Sequence, residues 1–539
     1  MTGVPGNATI DPQPHTPLDR WMCVVLPIGL LLAAAAGLFA RFHAAGNGFL
    51  AFYEDDFFYY LRIAQQIAVG KHSTYDGVHL TNGYHPLWML VILALTRLFG
   101  TGVAFFYALQ SLLVACVLAT YLLCARTFVA IAPRAAWLPQ LVAAALATSA
   151  LMLASGGMEV ALAIPLIAAL VYYRLCRFTW TPSRSFFLGL LSAAVVLARL
   201  DAAILVTSMA VFDLLWSRNV PSLQRLRCSV AFLCGAAPVA LYLALNELWF
   251  HTLMPVSGEA KQMRFHHWPS LMMFSRHTFS PPERYFLVFP WLLATIASLI
   301  ILLCCTQWRG RLRSSIPCLL ALLLFPFLFV AALSVLSDWP IWSWYAYPLV
   351  ASGMGASALL LAADSSLAER VIRALRWPAL ALLMLVWFTF VVSRWDNARR
   401  SDKVGYSIYL EAVDIARFDR THPGVYAMGD RAGTPGYLLH EPVIQLEGLV
   451  MDEAFLANIR QQRSLADVLR EYGVRYYIAT NPVQSDGCWL TAEPLVAGAD
   501  APHMRGRFCM QPVAQFPHSG YNTVIFDLAA GSATTAPSQ

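Results

Sequence analysis

Apolar runs long enough to enter a bilayer recur from Trp21 to about Val392, separated by short polar intervals rich in arginine. Because a bilayer-spanning helix needs ~20 predominantly apolar residues, the pattern predicts a polytopic α-helical membrane protein. The first run, Trp21 to Ala40, has Arg20 before it and Arg41 after it and lacks a small-residue cleavage site, so it reads as a retained anchor. Sorting the polar intervals by their arginines gives a topology. Arg126 with Arg134, then Arg174, Arg177 and Arg184, then Arg218, Arg225 and Arg227, then Arg309, Arg311 and Arg313, and finally Arg370, Arg373 and Arg376 fall on one side. The positive-inside rule makes that side the cytoplasm, with about eleven spans and the N-terminus inside. Two local features are required. Leu87 to Phe99 is too short to span and must lie as an interfacial or re-entrant helix on the outer side. The stretch from Phe186 to Trp216 must be two short helices meeting at Ala198-Arg199-Leu200-Asp201. If Leu87 to Phe99 crosses instead, the sidedness of everything after it reverses.

Beyond about Arg394 the pattern changes to short β-rich runs, Val425–Met428, Pro442–Leu446, Arg475–Ala479 and Thr523–Phe526, alternating with a helical period from Leu465 to Tyr472. These predict a C-terminal soluble α/β domain. The expected organisation is a membrane domain over 1–393, an extracytoplasmic domain over 394–530 and a disordered tail over 531–539. Composition sharpens this picture: 58% of the residues are hydrophobic and only 13% charged, about half the charged share of a soluble protein. The net charge of +6 belongs to the cytoplasmic arginines, and no basic run is interleaved with aromatics, which excludes nucleic acid as a partner. Of eleven cysteines, nine lie in or beside apolar segments; Cys488 and Cys509 in the polar tail are natural disulfide partners if that tail is in an oxidising compartment.

This topology collects the unusual polar motifs on the outer side: residues 42 to 86, the Ser155–Glu159 turn, Arg199 and Asp201, residues 251 to 284, and the loop from Ser337 to Tyr345. The most telling is Tyr53-Glu54-Asp55-Asp56-Phe57-Phe58-Tyr59-Tyr60-Leu61-Arg62, where three consecutive acids lie against a membrane. On a helix, Asp55, Tyr59 and Arg62 share a face at i, i+4 and i+7, and Asp56 points about 100° away. An ionised carboxylate at the mouth of an apolar cavity suits a general base for an acceptor hydroxyl. The alternative is a solvated interfacial helix with an aromatic belt. The next run, Tyr75 to Trp88, is a turn-rich loop able to close over a site, and its His79 and His85 are either metal ligands with Asp55 or Asp56 or hydrogen-bonded loop residues. No zinc spacing, nucleotide-binding glycine loop or serine or cysteine nucleophile constellation is present.

Glu54-Asp55-Asp56, Asn82-Gly83-Tyr84-His85-Pro86-Leu87-Trp88 and Gly157-Met158-Glu159, in that order, resemble the GT-C superfamily of integral membrane glycosyltransferases. The likeness is to its polyprenyl-phosphate-sugar-dependent branch of protein O-mannosyltransferases and lipid A aminoarabinose transferases. Ala198–Asp201, Met254–Lys261 and the region from Gly429-Asp430 to Leu449 extend it over nearly the whole chain. The resemblance implies an outward-facing cavity, an inverting transfer from a polyprenyl-phosphate sugar donor, an acid in the first outer loop and a second acid later. By position the first is Asp55 or Asp56 and the second Glu159, the latter also readable as a helix cap. A departing phosphate needs cations, for which Lys261 and Arg264 come first and Arg199 second, unless Arg199 simply pairs with Asp201. Glu54, Tyr59, Arg62, His85, Trp344 and Tyr345 complete the expected substrate-binding set, the aromatics stacking on sugar or flanking the lipid. No cofactor and no metal are expected. The expected partners are the lipid-linked donor, the bilayer and a glycan, lipid or protein acceptor, at a bacterial inner membrane. The competing class is a transporter or lipid-linked-glycan flippase, in which Arg199 and Asp201 line the path.

Overall fold

The computed structural model describes residues 46–132, 137–266, 283–304, 314–362, 404–518 and 520–529, with positions 25, 29, 36, 37 and 39 of the first apolar run. Most of that first run, Arg134, the arginines at 309–313 and 370–376, the junction at 393–394 and the tail 531–539 lie outside the described residues. From the N-terminus the described helices are α1 (Asp55–Ala68), α2 (Pro86–Phe99), α3 (Val103–Ile131), α4 (Trp137–Ala154), α5 (Val160–Cys176), α6 (Pro182–Ala198), α7 (Ala203–Trp216), α8 (Ser222–Phe250), α9 (Val256–Lys261), α10 (Glu283–Cys304), α11 (Ile316–Leu336) and α12 (Tyr347–Leu361). Among the described residues, four apolar stretches are long enough to cross a membrane: Val103–Ile131, Leu200–Asn219, Ser222–Phe250 and Ile316–Leu336. By length and composition the chain is an integral membrane protein. The apolar stretch from 186 to 216 divides at Arg199, whose backbone leaves the helix for an extended conformation before a short 3-10 turn, Leu200–Ala202, restarts it. That break carries Arg199 and Asp201 to the level of the polar loops.

The C-terminal region holds α13 (Val404–Asp419), β1 (Tyr426–Met428), α14 (Gly433–Leu438), β2 (Val443–Gln445), α15 (Glu453–Arg460), α16 (Leu465–Glu471), β3 (Tyr476–Thr480), β4 (Val483–Ser485), β5 (Cys488–Glu493), β6 (Met504–Phe508), β7 (Ala514–His518) and β8 (Tyr521–Asp527). Five strands form a mixed sheet in the order β2-β1-β3-β8-β7. The parallel core, β2-β1-β3, is made of runs buried at every position, as strands covered on both faces require. A second, antiparallel sheet, β4-β5-β6, is tied at one end by a Cys488–Cys509 disulfide.

The disulfide closes a loop of 21 residues, and a cross-link of that span restricts the unfolded chain by about 3 kcal/mol. Replacing either cysteine by serine therefore lowers the thermal midpoint of the C-terminal region, read by its tryptophan fluorescence. Resistance of the two thiols to a membrane-impermeant maleimide in intact cells until a reductant is added reports that the region faces an oxidising compartment.

Candidate active site

Residues far apart in the chain converge on one half-open cavity of about 60 Å³. Its walls come from α1, the loop before α2, the turn before α5, α9, the loop before α12 and the C-terminal region. The lining includes Asp56, Tyr59, Tyr60, His85, Glu159, Lys261, Trp344 and Tyr345, closed by Leu449 and Val450. The α1 side chains on the wall centre on Asp56, Tyr60 and Ile63, spaced i, i+4 and i+7. The face that sequence spacing singled out, Asp55 with Tyr59 and Arg62, is instead one step around the helix. Only Tyr59 of that set reaches the cavity. The same spacing rule applied from Asp56 identifies Tyr60; nothing local in the sequence identifies Leu449 and Val450.

The three adjacent acids have three different surroundings. Glu54 packs against the turn after α4, where a Cβ on Gly156 would meet its Cγ at 2.5 Å. It is not a wall residue. Asp55 accepts hydrogen bonds from Gly433 N at 2.8 Å, Thr434 N at 2.7 Å and Thr434 Oγ1 at 2.7 Å. Asp56 faces the cavity, and among the described residues no group hydrogen-bonds its carboxylate.

Gly157, at φ +82°, turns the chain sharply beneath Phe57 and delivers Glu159 to the start of α5. A side chain there is strained in that conformation, and its Cβ would stand 2.9 Å from the Phe57 ring. Glu159 makes no side-chain cap to its helix. Its carboxylate, buried at 1% exposure, accepts from Arg199 Nη1 and from Tyr60 Oη at 3.3 Å, and lies 3.6 Å from His85 Nε2. His85 is oriented from behind, since Leu200 N donates to its Nδ1 at 3.1 Å and leaves Nε2 to carry the proton toward Glu159. Arg199 joins Glu159 to Asp201, which it binds through Nε at 3.0 Å and Nη2 at 3.1 Å, and Asp201 also accepts from Tyr347 Oη at 2.6 Å. The Arg199 guanidinium lies 4.6 Å from the centres of both the Tyr345 and Tyr347 rings. Beyond Asp201, Arg199 thus has Glu159 as a partner, and its guanidinium is off the cavity wall rather than placed to bind a substrate phosphate.

Lys261, at the end of α9, does reach the wall, and its Nζ donates to Tyr345 Oη at 3.3 Å. Arg264 does not. Its guanidinium bonds Asp500 at 3.2 Å and the Ser334 carbonyl at 3.0 Å, so it joins the loop after α9 to the C-terminal region. Arg62 is half-buried away from the cavity. Trp344 lines the cavity with Trp342 stacked on it at 6.1 Å.

The electrostatics follow from this geometry. Burial pushes the Asp56 carboxyl up to about 7; Lys261 opposes the shift, while Asp55, Glu159 and Glu54 reinforce it. From the C-terminal region, Glu447 also faces this field. Burial pulls the Lys261 ammonium down, but Tyr345 and Asp56 outweigh it and hold the group above its ordinary value. Burial pushes His85 down against the opposing pull of Glu159. Asp55 is raised by burial, although its bonds from Thr434 and Gly433 resist. Among the described residues no three His, Cys, Asp or Glu side chains are grouped to hold a metal ion. His79 instead pairs with Asp76, Nδ1 to Oδ2, at 2.5 Å.

No protein-family model matches the chain, and no curated protein matches it. Among solved structures, it is similar to an oligosaccharyltransferase of Archaeoglobus fulgidus tethered to an acceptor peptide, at 11% identity and a TM-score of 0.44, over 85% of this chain and 70% of that one. It is also similar to the archaeal oligosaccharyltransferase AglB of the same organism, in complex with an inhibitory peptide and a dolichol-phosphate, at 12% identity and a TM-score of 0.47 over the same shares. A third likeness is to ArnT of Cupriavidus metallidurans in the apo state, at 16% identity and a TM-score of 0.47, over 91% of this chain and 98% of that one.

Proposed function

We propose that this protein is a membrane glycosyltransferase of GT-C type. It moves a hexosyl or pentosyl group from a polyprenyl-phosphate carrier to a cell-envelope acceptor, with Asp56 as the base. One observation carries the reading: a carboxyl group with no hydrogen-bond partner among the described residues and a lysine both line a cavity walled by Trp344, Tyr345 and Tyr60. As the acceptor oxygen attacks the anomeric carbon, Asp56 takes the hydroxyl proton and the bond from that carbon to the phosphate oxygen breaks. The carrier leaves as polyprenyl phosphate, its new charge met by Lys261. A group that titrates at about 7 suits this work, being about half ionised at neutral pH and basic enough to accept the proton. Trp344 offers a flat apolar face to a sugar ring. Glu159, held by Arg199, Tyr60 and His85, fixes that wall and leaves the proton transfer to Asp56. Lys261 is the one lysine or arginine among the described wall residues, which favours a monophosphate carrier over a diphosphate.

In this reading the cavity faces outward from a bacterial inner membrane, and 394–530 is the extracytoplasmic domain above it. The reaction needs no divalent metal, because the ammonium supplies the positive charge, so EDTA leaves the rate unchanged. The decisive assay is the full chain in proteoliposomes, supplied with undecaprenyl-phosphate-linked sugars and an envelope lipid and glycan extract. Undecaprenyl phosphate is released in step with labelled acceptor. Movement of intact labelled carrier across the bilayer with no release favours a flippase and overturns the reading. Lys261→Met lowers kcat/KM for release about 10²-fold, the scale of losing one preorganised charge-stabilising donor.

A further inference from the structure

The side of α1 next to Asp56 is covered by the C-terminal region. Asp55 takes three hydrogen bonds there from Gly433 and Thr434. The Phe58 ring packs 5.3 Å from that of Tyr437. Tyr59 Oη accepts from Gln445 Nε2 at 3.5 Å, and that amide is oriented because its Oε1 takes the Leu449 N–H at 2.9 Å. Tyr75 clamps the same segment by donating to the Ala432 carbonyl at 2.5 Å. The approach leaves no room for side chains: a Cβ on Gly433 would stand 2.1 Å from the Asp55 carbonyl oxygen, and one on Gly436 1.8 Å from Tyr75 Oη.

We propose that Asp55 is a positioning residue: it fastens α1 to Gly433 and Thr434, and this seam turns Asp56 into the cavity and seats Leu449 and Val450 in its wall. The C-terminal region is thereby a structural part of the active site. What the site does rests on the glycosyltransferase reading; how the site is held does not. Adjacent residues on a helix point ~100° apart, so a rotation of α1 that frees Asp55 also swings Asp56 away from Lys261. Hydrogen bonds to a carboxylate are short and strong for their kind, and here three of them, from one dipeptide, fix that rotation. Asp55 itself is absent from the cavity wall.

The test uses the full chain in lipid nanodiscs with Thr434→Val, Thr434→Ser, Gly436→Ala and Asp55→Asn, and Asp56→Asn as reference. Two readouts do not depend on sugar transfer. Hydrogen exchange follows the amides of residues 433 and 434. Site-resolved labelling with dicyclohexylcarbodiimide, which attacks protonated carboxyls in apolar surroundings, follows Asp56 across pH. Thr434→Val, Gly436→Ala and Asp55→Asn raise the exchange about tenfold, the scale of losing one hydrogen bond to a charged group. They also shift the midpoint of Asp56 labelling and lower kcat for polyprenyl phosphate release with little change in KM. Thr434→Ser, which keeps the hydroxyl, restores all three. Faster exchange with an unmoved Asp56 midpoint and unchanged kcat overturns the proposal, as does unchanged exchange. The functional reading fails separately, if Asp56→Asn transfers sugar at the wild-type rate while the seam variants still shift Asp56 labelling.

Discussion

Asp56→Asn lowers kcat for sugar transfer by about 10²–10⁴-fold, the range in which a positioned general base contributes, with a near-normal KM for the lipid donor. The substitution keeps the size and polarity of the side chain and removes only its ability to take a proton. The wild-type pH profile provides the internal check. With Asp56 titrating at about 7, the active carboxylate form dominates above that value and is lost below it. The rate therefore falls tenfold per pH unit on the acid side and levels off on the alkaline side. Asp56→Asn abolishes this acid limb along with the rate. Single-turnover release of polyprenyl phosphate between pH 5 and 9 measures both. A variant that keeps the limb assigns it to another group and removes Asp56 from the role of base.

The second large effect is on folding. Arg199→Leu leaves the Glu159 carboxylate, at 1% exposure, and Asp201 without their shared cation. Breaking a buried ion pair from one side costs about 3–5 kcal/mol, because a charge is stranded in a poor solvent. The variant loses folded protein in detergent, read as a lower midpoint in a thermal aggregation assay. Removing charges on both sides strands less. Arg199→Leu combined with Glu159→Gln is accordingly more stable than Arg199→Leu alone, and with the Glu159→Gln single variant the departure from additivity measures the coupling. If the single variant keeps its midpoint, the network does not hold the wall as described.

The membrane part was legible because a run of about 20 apolar residues has few other uses, and the Arg199–Asp201 interruption marks the helix break at the residues where it occurs. In the C-terminal region the buried strands around Tyr426, Val443, Tyr476 and Val524 and the helix at Leu465 follow the expected segments closely. The solvent-facing strands were not foreseen. In β6, Arg505 and Arg507 form the exposed half of a short alternation centred on Gly506, a weak strand former, and β7, an edge strand, contains Pro517, which is tolerated at a sheet edge but reads as a strand breaker. Within the site, residue type was legible and orientation was not. Asp55 and Asp56 are chemically identical, and their separation into anchor and cavity acid is made by Thr434, 379 positions away. Arg264 and Lys261 had equal claims until Asp500 engaged one of them.

That distance along the chain also orders events in time. The anchor for α1 lies 378 residues after Asp55, and at synthesis rates of 5–20 residues per second it emerges about 20–75 seconds later. Until then the nascent protein carries Asp56, and later Lys261, without Leu449, Val450 or the seam that aligns them. Under the proposed function competence thus arrives last in biogenesis, and a chain cut short before residue 433 is inert toward carrier lipid.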